Sequence, residues 1–98
     1  MKSLRRLPRV YERAHQDNHQ IIDKALQMGC TDTHPISKDD LEQNLSNIPG
    51  IRDHIASMKT EAGNSHGMYF TDAPENNCLV FHPQVWAKLL SLGWAQKA

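Results

Sequence analysis

Four side chains in the first third of the chain are spaced as metal ligands could be. His15 and His19 stand four apart, Cys30 and His34 repeat that interval, and together they read H-x3-H-x10-C-x3-H. Imidazole and thiolate are good zinc ligands, and an i, i+4 pair on a helix can point both rings at one ion. The ten-residue gap fits no zinc module, and the same histidines can simply flank an apolar face, so no metal is expected. Cys78 and His82 repeat the spacing on a strand-like run, where they would lie roughly 13 Å apart, too far for one ion.

Nucleophilic catalysis needs a thiol beside a base, and either cysteine could find a histidine. With two cysteines and six histidines such pairings arise easily by chance. No phosphate-cradling loop, dinucleotide fingerprint or serine elbow accompanies them. The chain therefore reads as a non-enzyme with no cofactor.

Basic and hydroxylic residues offer a different chemistry. Arg52, His54, Ser57 and Lys59 lie away from the apolar stripe of a short helix. An arginine there could read a guanine edge, and serine or lysine could take phosphates. Asp53 stands among them and would repel phosphate; the competing reading is a solvated helix face. The stretch LRRLPR, with Arg5, Arg6 and Arg9, is the stronger basic feature and could lie along phosphates or in a minor groove.

The elements that must position these residues follow from the pattern. Ninety-eight residues, 39% hydrophobic and 22% charged, suit one globular domain. Residues 1–7 read as a flexible basic arm. Pro8 suits the start of a helix running to about Met28, with Gly29 as its stop. Asn18 falls on that helix's apolar face, so the helix bends between Gln16 and His19, or Asn18 meets a polar partner. Residues 30–35 form a loop.

Ser37 can cap a second helix bearing Leu41 and Leu45, with Asp39 and Asp40 at its positive end. Asn47-Ile48-Pro49-Gly50 breaks the pattern. Pro49 opens a third helix with Ile48, Ile51, Ile55 and Met58 on one stripe and Gly63 as its stop. Residues 68–71 and 78–81 read as strands around the polar turn DAPENN, with Pro74 outside the ladder. Pro83 opens a last helix, with Val85, Trp86, Leu89 and Leu90 as its apolar face and Gly93 as its end. Trp94 either folds back on that face or lies exposed.

Helix, helix, helix, hairpin, helix is an order that resembles the winged helix-turn-helix proteins over residues 8–82. The resemblance implies an α+β fold in which the third helix, residues 49–60, enters the major groove and residues 72–77 form the wing tip. On the DNA-binding reading the partner is DNA, with Arg5, Arg6, Arg9, Arg52, His54, Ser57 and Lys59 as expected contacts, and a homodimer is expected through the first or last helix.

Charge tempers that expectation. Eleven basic and eleven acidic side chains balance, whereas nucleic-acid binders usually carry a basic excess. The wing tip holds Asp72 and Glu75 and no cation. The alternative is a phage- or plasmid-type modulator, such as an inhibitor of a host defence complex, binding a protein through acidic and aromatic surface. Without a secretory signal or a membrane-length apolar run, the chain is expected in the cytoplasm with both cysteines reduced; one disulfide between them is the other option.

Overall fold

The computed structural model describes residues 1–60 and 67–97 of the chain. Its elements run α1 (Lys2–Glu12), α2 (Asp17–Gln27), β1 (Ile36–Ser37), α3 (Lys38–Asn44), α4 (Ile51–Ser57), β2 (Phe70–Asp72), β3 (Cys78–Phe81), α5 (Pro83–Ser91) and α6 (Trp94–Lys97). The class is α+β, as expected: helices pack around one three-stranded antiparallel sheet.

The N-terminal segment is a correction. Residues 1–7 are no arm: the chain is helical from Lys2, and Pro8 lies inside α1 instead of opening a helix. An interior proline removes one i→i−4 bond and crowds the turn, at a cost on the order of 3 kcal/mol. Burial outweighs it. Ser3, Leu7 and Val10, spaced i, i+4, i+7, turn inward against α5 and α2, and full burial of Leu or Val contributes about 1.5–3 kcal/mol each. Gly67 passes directly over this helix start. Its φ is +86°, and a Cβ there would lie 3.1 Å from Ser3 N, so both backbone conformation and space call for glycine.

The single helix expected from Pro8 to Met28 is two, parted at residues 13–16. Asp17 lies in the first turn of α2, where a carboxylate meets the positive end of the helix dipole. Ile21, Ile22, Ala25 and Leu26 carry its buried face.

The two-helix unit follows the pattern closely. Ser37 Oγ accepts from Asp40 N at 3.2 Å, so the expected cap is made. Leu41, Leu45, Ile48, Ile55 and Met58 are buried, and Ile51 is half-buried. The third helix of the expectation begins at Ile51 instead of Pro49. Gly50 takes a φ of +68°, and that left-handed residue delays the helical run. The stop expected at Gly63 lies outside the described residues.

The hairpin forms from β2 and β3, with Phe70 opposite Phe81 and their rings 4.9 Å apart. Sequence periodicity gave no sign of β1, which is too short to show a period. It pairs with β3, placing Ile36 opposite Leu79 and Ser37 opposite Cys78, so the sheet order is β1-β3-β2. Lys38 N also donates to Asn77 O at 2.9 Å, and the start of α3 is thereby tied to the hairpin.

In α5, Val85 and Leu89 are buried, whereas Leu90, expected on the same face, is 41% exposed. Trp94 is buried. Its ring stacks on His19 at 4.6 Å and tilts against Tyr11 at 5.1 Å, and its Nε1 donates to Asp23 Oδ1 at 3.0 Å. The indole therefore clamps α6 to α1 and α2 by area and by a satisfied N–H together. Among the described residues no helix is long and apolar enough to cross a membrane.

Candidate nucleic-acid interface

Each of the four candidate residues near α4 is turned to a partner within the fold. Arg52, just inside the first turn, has its Nε 3.3 Å from Glu42 Oε1 on α3, although its side chain stays 80% exposed. Lys59, two residues beyond the helix, places Nζ 2.6 Å from Asp72 Oδ1 at the end of β2. His54 points inward: Nε2 donates to Asn18 Oδ1 at 2.6 Å, with Nδ1 3.9 Å from Asp17 Oδ2. Ser57 Oγ donates to the carbonyl of His54 at 2.6 Å.

These geometries tie the expected contacts into the fold. His54 and Ser57 serve the packing of α4 on α2 and its own last turn, because their polar atoms lie on the flank nearest the core. The cations Arg52 and Lys59 are partly neutralised by carboxylates from α3 and β2. Asp72 does not point away from the candidate cations, as a DNA-contacting wing would require; it binds one of them. Of the two readings open for Asn18, the polar partner is the one realised.

Arg5, Arg6 and Arg9 are brought together. All three are exposed on α1, joined by Lys2 in the first turn and Arg13 just past the helix end. At 100° per residue, Lys2, Arg5, Arg6 and Arg9 span a sector of about 100°, opposite Leu7. Among the described residues no carboxylate lies within ion-pair distance of these five side chains. Lys2 and Arg13 were not among the expected contacts. The i, i+3/i+4 spacing of Lys2, Arg5, Arg6, Arg9 and Arg13 was the available signal, hidden once Pro8 was read as a helix start.

The metal and nucleophile patterns disperse. His19 Nδ1 donates to Val10 O at 2.9 Å beneath Trp94, while His15 and His34 are exposed. Among the described residues no three His, Cys, Asp or Glu side chains converge as metal ligands. Cys30 is buried, with Sγ 3.8 Å from Leu79 O, and burial pushes its thiol up to about 12. A thiol so protonated is a poor nucleophile at neutral pH. An open groove of about 650 Å³ runs between α3 and α4, where Asp39, Glu42 and Arg52 stand beside Ile48, Pro49 and Ile51.

Comparison with known proteins adds no relative to this geometry: no protein-family model, no curated protein and no solved structure matches the chain.

Proposed function

We propose that the protein is a small DNA-binding regulator on a winged-helix-like scaffold. The observation that supports this reading best is the order and pairing of elements around α4. The α3–α4 pair meets at a six-residue joint, the hairpin β2–β3 follows, and β1 links the start of α3 to β3. Such an arrangement braces one short helix so that its outer strip can face a groove, with a hairpin beside it. That strip carries Arg52, Asp53 and Ala56, all exposed. For base reading, Arg52 must exchange Glu42 for a guanine edge.

A second reading, a protein-binding modulator on the same scaffold, draws on the pairing of Arg52 and Lys59 and on the exposed Asp39, Asp40, Asp53 and Glu75. One titration separates the two. Mixed genomic DNA fragments at low salt should bind, and binding should weaken steeply as salt rises. Absence of binding there, where phosphate attraction is strongest, removes the DNA reading and leaves the protein-binding one.

A further inference from the structure

We infer that the basic face of α1 is a rigid ridge that grips the phosphate backbone of duplex DNA, independently of base sequence. The inference rests on the DNA-binding reading and moves its main source of affinity from α4 to α1.

The charge balance of the chain conceals a strong asymmetry. Residues 1–13 hold five cations and one carboxylate, net +4, while residues 14–98 hold six cations and ten carboxylates, net −4. A neutral total is thus a positive helix on an acidic body. Because Lys2, Arg5, Arg6, Arg9 and Arg13 meet no carboxylate among the described residues, their charge is directed at solvent. The first turn of α1 contains no acid to offset the positive helix end, so an anion there would relieve both terms at once.

Length and stiffness match a duplex. From Lys2 to Arg13 the stripe covers roughly 16 Å at 1.5 Å per residue. A duplex presents a phosphate about every 1.7 Å of helix axis counting both strands, so the five long cations of a stripe this length find enough phosphates within reach for one each. The helix is held in place by Leu7 and Val10 below, by Gly67 across its first turn, and by Tyr11 against Trp94. Five long cations on a fixed ridge lose less freedom on binding than the same residues on a loose arm.

Two competing anionic surfaces fit less well. Insertion into a lipid surface needs a free apolar flank on the helix, but Leu7 and Val10 are buried in the core. Single strands are usually held by exposed aromatic rings on which bases stack, yet Tyr11, the aromatic residue of α1, is packed on Trp94.

Fluorescence anisotropy with two unrelated 30-base-pair duplexes tests the inference on the full chain. The two duplexes should bind within about threefold of each other, and log K against log salt should fall with a slope approaching about −4.5 for five contacts. The triple variant Arg5→Gln, Arg6→Gln, Arg9→Gln should flatten that slope by about 2.7 and weaken binding roughly 100-fold at low salt. Arg52→Gln should shift the affinity far less. The triple lysine variant at the same three positions should retain most of the affinity, because a phosphate rail needs charge more than a forked donor. It also separates loss of charge from loss of fold.

If the wild-type chain binds duplex but the triple glutamine variant binds equally well, or Arg52→Gln proves the more damaging, the ridge is overturned while the DNA reading stands. Strong preference for one duplex, or binding to phosphatidylserine vesicles in place of duplex, overturns it too. No wild-type binding to any duplex removes the DNA reading itself.

Discussion

The Lys59 ammonium and the Asp72 carboxylate lie 2.6 Å apart, joining the chain just beyond α4 to the outer end of β2. The pair bridges the hairpin and the two-helix unit, alongside bonds from Tyr69 N and Phe70 N to Met58 O at 2.7 and 3.1 Å, and spends a cation that a DNA-facing helix would otherwise present. Asp72 is 74% exposed in its side chain, so the pair should add no more than about 1 kcal/mol to stability. Asp72→Asn is therefore expected to leave the melting temperature within a few degrees of wild type. It should also raise affinity for duplex DNA at low salt, by freeing Lys59 and removing a negative charge. Unchanged affinity would place Lys59 outside the contact.

Ile55 is fully buried beneath the two-helix joint, and Ile51 only partly. Ile55→Ala should lower the unfolding free energy by about 2–4 kcal/mol through lost transfer energy and a residual cavity. Ile51→Ala should lower it by clearly less. Urea denaturation followed by tryptophan fluorescence measures both, and an equal loss at the two sites would contradict the packing of α4.

Gly67→Ala tests the pinning of α1. An alanine would have to hold φ near +86° and place its Cβ 3.1 Å from Ser3 N. Strain of this kind costs on the order of 1–3 kcal/mol. Hydrogen exchange should quicken in the first turns of α1 more than in α2, because residue 67 must lift from Ser3. With the ridge loosened, duplex binding should weaken although no cation is removed.

Cys30 gives a pH signature. Its thiol is raised from 9.0 to about 12 by burial, with a backbone hydrogen bond acting the other way. The folded chain then keeps a proton that the unfolded chain releases, and this contribution is complete below pH 9. It is lost progressively as pH rises from about 9 toward 12. Melting temperature should fall over that range, and less steeply in Cys30→Ala once its lower baseline is subtracted. Iodoacetamide at pH 8 should modify the half-buried Cys78 well before Cys30.

Local chemistry made much of the scaffold legible. Ser37, Asp39 and Asp40 mark the start of α3, because a cap and a helix dipole act within one turn. The aromatic and β-branched residues around DAPENN mark the hairpin, and Gly29 and Gly93 mark where helices end. The stripe of Ile51, Ile55 and Met58 marks the inner face of α4, since a helical period needs only neighbouring residues to show itself.

What only the tertiary structure decided are the terms that join distant residues. Pro8 argues locally for a helix start, and the burial of Leu7 and Val10 against α5 overrides it. β1 is two residues long and exists only because β3 offers it an edge. Asn18 with His54, Glu42 with Arg52, Asp23 with Trp94 and Lys59 with Asp72 join residues 10 to 71 positions apart. Sequence supplied the charges, but whether each faces solvent or a carboxylate depends on where the packed core turns its helix. That is why the cations on and just beyond α4, rich in candidate contacts on paper, are paired, while those of α1 meet no carboxylate among the described residues.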